Sequence, residues 1–294
     1  MDALVAQGDT VRAFDRRVDQ PAYNQSGQVE PFTGDFLSIT DLRAALEGID
    51  AVYHFISVTT PATSDDNPTI DIETNVRMSV ELFKLCVEAR IKRVIFASTG
   101  GAIYGENTAS PYSETDATAP ISPYAISKLT LENYLRYFRR KHGLQSVTVR
   151  MSNPYGERQP LHRKQGVIPI FLENIAQDKP ITVLGDGSMV RDYVYVKDVA
   201  QMIIKLSHGN PKHEVYNIGS GVGTTVNEIV AMVQQVSGKT ANITHQPVPP
   251  TFVQEAVLNT KRFVDEFGAL PLTDMEEGMR TTYAYITKQL KESA

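Results

Sequence analysis

Residues 122–128 read Ser122-Pro123-Tyr124-Ala125-Ile126-Ser127-Lys128 and open a long helical pattern. A serine is a favoured N-cap, and a proline suits the first position of a helix. Tyr124 and Lys128 lie four residues apart, so a helix places them on one face. A phenol has a pKa of about 10, and a nearby ammonium lowers that pKa by favouring the phenolate. The pair therefore predicts an acid–base centre that takes a proton from a hydroxyl while a nicotinamide takes the hydride.

The spacing is weak evidence by itself, because Tyr-x-x-x-Lys occurs three times in the chain. Tyr137 and Lys141 lie in a basic helix end that we expect to face solvent and to suit the helix dipole. Tyr193 and Lys197 span an alternating, strand-like run, in which residues i and i+4 do not meet. Only Tyr124 follows a serine and a proline at a helix start, and this context favours it as the catalytic tyrosine.

Length and composition bound the class of protein. The chain has 294 residues, enough for one large α/β domain or a domain with a smaller lobe. A formal net charge of −5 argues against a nucleic-acid partner. The single cysteine, Cys86, lies on an apolar helical face, which predicts a buried, inert thiol. Without an apolar run of about 18 residues or a visible signal peptide, we expect a cytoplasmic protein with no membrane partner.

Strand-like and helix-like patterns alternate through the first half of the chain, which predicts an α/β fold with a right-handed parallel sheet. A polar loop is expected to lead to Gly34, and the later segments predict a smaller lobe that is interleaved with the sheet. The predicted strands are residues 10–15, 51–57, 93–99, 146–152, 181–184, 193–196, 214–218 and 242–248. The predicted helices are residues 39–46, 70–89, 123–141, 167–177, 197–207, 225–236 and 274–291.

Several polar residues fall near the predicted strand ends. Ser98 and Thr99 precede a glycine turn, and the carboxyl ends of strands are where open α/β sheets bind ligands. Their hydroxyls can bond a substrate oxygen, or they form an ordinary Ser/Thr turn. We expect His54 to be a core or strand-end histidine. Asn75 either bonds backbone near the strand ends or faces solvent.

The stretch before Val11 departs from a dinucleotide-binding pattern. Residues 2–8 read as a helix end that stops at a glycine, and Asp15 closes the next strand. An acid at that place bonds the adenosine ribose in such folds, although a plain loop acid is the alternative. A first strand and a glycine-rich loop, roughly 20 residues, should precede it and are not in the sequence.

This departure has two expected consequences. The backbone amides that would receive a dinucleotide pyrophosphate are missing, so we expect weak NAD binding for the chain as given. The missing strand also removes the burial of about four apolar side chains, worth roughly 6–12 kcal/mol, whereas a whole domain is stable by about 5–15 kcal/mol. We therefore expect the chain to be only marginally stable unless something replaces that strand. A gene start placed too late and an ancestral loss both account for the pattern.

Six stretches together resemble the extended short-chain dehydrogenase/reductase family. The closest branch is the NAD-dependent epimerase/dehydratase family, typified by UDP-glucose 4-epimerase. The most specific stretch is residues 185–198, and residues 216–221 and 277–281 agree with it. The six stretches are residues 11–16, 34–35, 52–57, 95–105, 122–128 and 185–198.

The resemblance implies a Rossmann-type parallel sheet flanked by helices and lacking its first strand. Residues 1–165 would bind NAD, and residues 166–294 would form mainly the interleaved α/β substrate lobe. Tyr124 would be the catalytic base, and Lys128 would lower its pKa and hold the nicotinamide ribose. Thr99 would bond the sugar hydroxyl, with Ser98 as the alternate. The resemblance further implies a homodimer and no bound metal.

The resemblance also assigns the ligand-binding positions. Asp15 and Arg16 would meet the adenosine ribose, where Asp15 favours NAD and Arg16 leaves room for NADP. The other implied cofactor positions are Asp35 and Phe36 at the adenine, and Phe55, Ile56, Ser57 and Asn75 along the cofactor. Asn153, Val183 and Arg191 would bind the substrate, a nucleotide sugar whose pyrophosphate meets Asn153 and Arg191.

The implied reaction is 4-epimerisation of a UDP-hexose or UDP-N-acetylhexosamine by transient oxidation at C4. Dehydratases of the family carry an Asp-Glu pair where this chain has Gly100-Gly101, which favours epimerisation. Two alternatives stay open. One is a catalytically impaired remnant that binds a nucleotide sugar or a partner, and the other is a nucleotide-sugar dehydratase or keto-sugar reductase.

Overall fold

The computed structural model describes residues 1–17, 28–59, 61–105, 109–160 and 166–292. By its internal packing the chain divides into two compact units. Unit 1 comprises Met1–Ser98, Pro120–Val149 and Ile203–Val215, and unit 2 comprises Thr99–Ala119, Arg150–Met202 and Tyr216–Ala294. The assignment of cofactor binding to residues 1–165 and of substrate binding to residues 166–294 remains a prediction.

Strands and helices alternate as the sequence pattern predicts. The strands are β1 Val11–Asp15, β2 Val29–Thr33, β3 Ala51–His54, β4 Arg93–Thr99, β5 Ser146–Met151, β6 Asn153–Tyr155, β7 Ile181–Leu184, β8 Val190–Tyr195, β9 Val215–Ile218, β10 Gly223–Thr225, β11 Ile243–Gln246 and β12 Glu255–Ala256. The helices are α1 Asp2–Ala6, α2 Ile39–Ala45, α3 Pro61–Asp66, α4 Pro68–Ile70, α5 Arg77–Glu88, α6 Pro123–His142, α7 Val167–Ala176, α8 Val196–His208, α9 Val226–Ser237, α10 Lys261–Phe267 and α11 Met275–Glu292.

Parallel pairing organises the N-terminal half. Strands β3, β4, β5 and β9 form one sheet in that order, with β3 and β4 parallel. Strands β1 and β2 form a separate parallel pair in which Val11 lies opposite Val29. The predicted α/β class with a parallel sheet flanked by helices is confirmed.

Strand β2 corrects the expectation of a loop before Gly34. Its sequence, Val-Glu-Pro-Phe-Thr, contains Pro31, which lacks the N–H group that a central strand needs. Within the described residues β2 pairs only with β1, and an edge strand tolerates a proline. Val29 is buried with Val11 and Ala13, so a short apolar face was enough to make the strand.

The single helix predicted over residues 70–89 is wrong. Between α4 and α5 the chain forms a wider, π-helical turn, Asp71–Val76. This turn buries Asp71 and Asn75, whereas the apolar Ile72 is 62% exposed. Buried hydrogen bonds of the two polar side chains therefore decide the geometry here.

Helix α6 begins and ends as the sequence predicts. The Ser122 hydroxyl accepts the Ala125 N–H, and Pro123 occupies the first helical position. Gly143 ends the helix in the left-handed conformation, with φ of 73°. The inner face of α6 carries Leu131, Leu135 and Phe138 into the core of unit 1.

Each unit has its own hydrophobic core. In unit 1, α2, α5 and α6 pack on β3 and β4 around Phe83 and Phe96. In unit 2, α7, α9 and α11 pack with β7 and β8 around Leu172 and Ile229. Cys86 is buried in the first core, and burial raises its pKa to about 12, which confirms the inert thiol. No helix among the described residues has the length and apolar character to span a membrane.

Several predicted strand boundaries also shift. Strand β3 ends at His54, three residues before its predicted end at 57, and the chain then forms the loop in which the Val58 N–H bonds the side chain of Asn75. Strand β8 begins three residues before its predicted start at 193, and α8 follows it directly from Val196. Strand β11 is shorter than its prediction at both ends.

Candidate active site

The candidate acid–base pair lies at the start of α6, next to the end of strand β4. Tyr124 is partly exposed on the first turn, and Lys128, one turn later, is only 7% exposed. The Lys128 ammonium donates a hydrogen bond to the Ala97 carbonyl at 2.8 Å. It lies 5.0 Å from the ring centre of Phe96 and 5.6 Å from that of Tyr124.

The ammonium of Lys128 thus contacts the face of the tyrosine ring and does not bond its hydroxyl. The second pair differs, since Lys141 lies 5.3 Å from the ring centre of Tyr137 and also donates to its hydroxyl at 2.8 Å, in an exposed setting. Shared spacing therefore produces two geometries. At the buried pair, the Ala97 carbonyl and the Phe96 ring draw the ammonium toward β4.

Burial dominates the acid–base properties of the pair. Burial and, as the smaller effect, the negative charge of Asp71 together raise the pKa of Tyr124 to about 12. Burial lowers the pKa of Lys128 to about 8, a shift that the charges of Asp71 and Glu132 oppose. The pKa of Tyr124 is therefore raised in the chain alone, against the expectation that the ammonium lowers it, because desolvation is the largest effect. At neutral pH the tyrosine is neutral and the lysine still mostly charged.

Glu132 is a buried charge that the sequence reasoning missed. It is 6% exposed and accepts a hydrogen bond from the Ser98 hydroxyl at 2.5 Å. Because Glu132 lies four residues after Lys128, helical spacing was a signal for its place on the same face. Ser98, the alternate sugar-binding hydroxyl, is thus engaged with a carboxylate inside unit 1.

A second polar cluster lies at the π-helical turn. Asn75 accepts the Val58 N–H at 2.8 Å and donates to the Thr59 hydroxyl at 2.7 Å. It also donates to Asp71 at 2.6 Å, and the Thr59 hydroxyl donates to the same carboxylate oxygen at 2.7 Å. Of the two alternatives for Asn75, bonding to backbone near a strand end is confirmed. Sequence reasoning missed Asp71, and its place four residues before Asn75 was the available signal.

His54 is a core residue, as expected. It is 3% exposed, lies against the rings of Phe36, Phe83 and Phe96, and shares a 2.7 Å hydrogen bond with Ser79. Burial lowers its pKa to about 3, with a smaller effect from the charge of Lys128. A neutral, enclosed imidazole of this kind carries no acid–base chemistry at neutral pH.

The predicted adenosine positions meet at the ends of β1 and β2. Arg16 and Asp35 form a 2.9 Å ion pair, which brings two of the predicted residues together in an exposed setting. The Leu37 N–H, and then Arg16, lower the pKa of Asp35 by bonding its carboxylate. Asp15 ends β1 and accepts the Arg17 N–H.

The two aromatic residues predicted to bind the cofactor, Phe36 and Phe55, lie in different surroundings. The ring of Phe36 is 5% exposed and packs on His54, so it belongs to the core. Phe55 follows β3 and is 44% exposed. Ile56 is partly buried, and the Ser57 hydroxyl donates to the Thr59 carbonyl at 2.8 Å.

Of the predicted substrate-binding residues of unit 2, Asn153 and Arg191 lie on adjacent strands, and Val183 lies in the core. Asn153 on β6 donates to the Asp192 carbonyl on β8, and the two strands run side by side. Arg191 lies on β8 near this bond, whereas Val183 on β7 is 1% exposed within the core. Thr99 is the last residue of β4 and is partly buried.

Arg191 is held by backbone carbonyls. Its guanidinium donates to the carbonyls of Val190, Gln254 and Val253, the last at 2.6 Å. Burial lowers its pKa. Within the described ranges no carboxylate forms an ion pair with it. A partly buried guanidinium in these surroundings suits an anionic ligand with two acceptor oxygens.

Comparison with known proteins places this architecture in a family. The profile described as "NAD dependent epimerase/dehydratase family" matches residues 1–219. The chain therefore belongs to that family, and NAD as the family's cofactor is confirmed.

Individual relatives span most of the chain. It is 35% identical over 231 residues to dTDP-4-dehydro-6-deoxyglucose reductase of Escherichia coli, covering 79% of this chain and 73% of that protein. The UDP-glucose 4-epimerase of Thermotoga maritima, solved with UDP-glucose, superposes with a TM-score of 0.91 at 32% identity and covers 98% of this chain and 94% of its own. The Thermus thermophilus UDP-glucose 4-epimerase, solved with NAD, gives 0.89 at 31% identity, covering 97% and 93%.

The described residues fit NAD on their own chemistry. Asp15 places a carboxylate at the carboxyl end of β1, which suits ribose hydroxyls. Among the described residues Lys128 donates one hydrogen bond, so two of its three N–H groups stay available for a second ribose. Phe55 presents an exposed ring after β3.

Proposed function

We propose that this protein is a nucleotide-sugar 4-epimerase that acts on a UDP-hexose or UDP-N-acetylhexosamine. The observation that carries the proposal is the buried Lys128 ammonium against the Tyr124 ring at the carboxyl end of β4. The homodimer, the cytoplasmic location and the two functional lobes belong to the same proposal.

The proton moves at the Tyr124 hydroxyl. When bound, NAD supplies reversible hydride acceptance at the sugar carbon. As the phenolate, the form that the positive charges of Lys128 and of bound NAD favour, Tyr124 takes the proton of the sugar hydroxyl at its own oxygen and returns it when the inverted carbon is reduced. Lys128 stabilises the phenolate, and its low-dielectric surroundings strengthen that attraction. Thr99 bonds the same sugar oxygen.

The pyrophosphate of the substrate is assigned to Arg191, with Asn153 beside it. A guanidinium can bond two phosphate oxygens at once. The Arg191 guanidinium already donates hydrogen bonds to the carbonyls of Val253 and Gln254, so the substrate phosphate must replace those neutral acceptors. An anionic acceptor forms the stronger bond, so the exchange favours binding.

The test is to incubate the purified protein with added NAD and with UDP-glucose, UDP-galactose or their N-acetyl forms, without added reductant, and to follow the sugar by NMR. We expect interconversion of the C4 epimers. Tyr124→Phe should lower kcat by about 10²–10⁴, the usual share of general acid–base catalysis. Tyr137→Phe, which alters the exposed tyrosine of the same spacing, should leave kcat unchanged. Full turnover in Tyr124→Phe would refute the assignment of the base.

A keto-sugar reductase is the second candidate, and the E. coli relative with that activity in its name supports it. A reductase consumes one reduced nicotinamide for each product molecule, whereas an epimerase has no net redox change. Oxidation of added NADH or NADPH in proportion to product, with no C4 inversion in its absence, would favour the reductase.

A further inference from the structure

Asp71 is the most enclosed carboxylate near the acid–base pair. It lies in the π-helical turn and is 1% exposed. One carboxylate oxygen accepts from both Thr59 and Asn75, and the other has no partner among the described residues. Burying a carboxylate costs free energy, so the presence of Asp71 at this place points to a role other than packing.

The bonds of Asp71 connect it to the loop of residues 55–59. Thr59 and Asn75 both donate to it and are bonded to each other, which closes a three-membered network. Asn75 then accepts the Val58 N–H from that loop. The carboxylate is therefore the anchor from which the loop after β3 is held.

The same loop carries three of the predicted cofactor positions, Phe55, Ile56 and Ser57. The π-helical turn packs on α6, the helix that carries the acid–base pair. The charge of Asp71 acts on both groups, raising the pKa of Tyr124 and of Lys128. Asp71 thus bonds the residues that hold the loop and lies in the turn that packs on the helix of the acid–base pair.

We propose that Asp71 is a positioning residue, which fixes the loop of residues 55–59 through Thr59 and Asn75 in the conformation that receives NAD beside Tyr124. This inference rests on the proposed function, because it assigns the loop to the cofactor of that reaction. It does not make Asp71 a catalytic residue.

Three substitutions separate the carboxylate's bonds from its charge. Asp71→Ala removes the acceptor, and Thr59→Val removes one donor while keeping the side-chain shape. Asp71→Asn keeps an acceptor oxygen and removes the charge. Thr69→Val is the matched control, since the Thr69 hydroxyl makes an exposed bond to Asn67 outside the network.

The readouts are NAD affinity by fluorescence titration, hydrogen exchange of the Val58 amide, and exchange of the Ile95 amide in β4 as a measure of global stability. We expect Asp71→Ala and Thr59→Val to speed Val58 exchange and weaken NAD binding about tenfold, with Ile95 exchange unchanged. Asp71→Asn should stay within about threefold of wild type in both, because the acceptor persists. Thr69→Val should change neither.

Wild-type values of Val58 exchange and NAD affinity in Asp71→Ala would overturn the proposal. Equal acceleration of Val58 and Ile95 in both Asp71→Ala and Thr59→Val would also overturn it, because that pattern marks a purely structural role. An absence of NAD binding in the wild-type chain would count against it as well. A wild-type chain that binds NAD but converts no nucleotide sugar refutes the epimerase, while the two readouts still decide the role of Asp71.

Discussion

Two tyrosines of α6 share the Tyr-x-x-x-Lys spacing and differ in their surroundings. Lys141 bonds the Tyr137 hydroxyl at an exposed site, and Lys128 lies buried against the Tyr124 ring. A hydrogen bond between the lysine and the tyrosine hydroxyl in the chain alone therefore does not identify the catalytic pair. What distinguishes the Tyr124 pair is the buried lysine and the desolvation that raises the pKa of the tyrosine, because both strengthen the effect of nearby charges.

At the residue scale, the first prediction concerns Lys128. Lys128→Met removes the charge that stabilises the Tyr124 phenolate and leaves an apolar side chain of similar length. We expect kcat for epimerisation to fall by about 10²-fold or more. Steady-state kinetics with Lys141→Met as the control measures this. Equal kinetic losses in the two variants would contradict the assignment.

His54 supplies a second prediction, for stability against pH. In the folded chain its pKa is about 3, and in the unfolded chain it returns to 6.5. The unfolded state therefore binds the proton first, so stability falls as pH decreases from 6.5 toward 3, by about 1.4 kcal/mol per unit. Above pH 6.5 the imidazole is neutral in both states and has no effect.

The matched variant is His54→Phe with Ser79→Ala, which removes the titrating ring and its hydrogen-bond partner together. Urea unfolding between pH 5 and 7 compares it with wild type. We expect the difference in unfolding free energy to change in favour of the variant below pH 6.5. If the unfolding free energies of the variant and the wild type change in parallel with pH over this range, His54 takes up its proton equally well in the folded and unfolded states, which would contradict the prediction.

At the scale of the element, α6 carries signals at both of its ends. Ser122 caps the first turn and Gly143 supplies the left-handed residue that ends the last. These signals are local, so the sequence predicts the helix within one residue. The turn at residues 71–76 has no such local signal, because its form depends on the bonds that Asp71 and Asn75 make to Thr59.

Ser122→Ala is the prediction at this scale. The substitution removes the acceptor for the Ala125 N–H, and loss of an N-cap costs about 0.5–2 kcal/mol. Thr130→Ala in the same helix removes only a bond to the Ile126 carbonyl and should change stability by less than about 0.5 kcal/mol. Thermal unfolding of the two variants compares them. Equal losses would mean that the cap does not stabilise α6.

At the scale of the whole molecule, each unit is assembled from three separated stretches of the chain. The predicted NAD positions lie in unit 1, and Asn153, Val183 and Arg191 lie in unit 2. Sequence reasoning divided the chain once, at residue 165, and expected interleaving. It could not locate the points where the chain passes between the units, because all of them except the one at residues 119–120 lie inside strands and helices that have no compositional boundary.

This division leads to a prediction about two ligands. Asp15→Asn should weaken NAD binding and leave UDP binding unchanged, whereas Arg191→Lys should weaken UDP binding and spare NAD. A loss of about 1–3 kcal/mol is expected in each case, since each change removes a hydrogen bond to a charged group. Calorimetry with NAD and with UDP separately measures both. A loss of both affinities in either variant would contradict separate sites.

The sequence by itself determined the alternation of strands and helices, the bounds of α6, the inert Cys86 and the core position of His54. These features follow from apolar periodicity and from capping residues, which act over a few neighbouring positions. It also singled out Tyr124 and Lys128, because their helix start is a local signal.

Only the tertiary structure decided how the charged groups of the site are held. It showed that Glu132 accepts a hydrogen bond from Ser98 and that Asp71 accepts hydrogen bonds from Thr59 and Asn75. It also showed that the Lys128 ammonium donates to the Ala97 carbonyl. It also reversed the expected shift of the Tyr124 pKa. The physical reason is that desolvation and buried hydrogen bonds depend on residues distant in the chain, and no local pattern records which of them become neighbours.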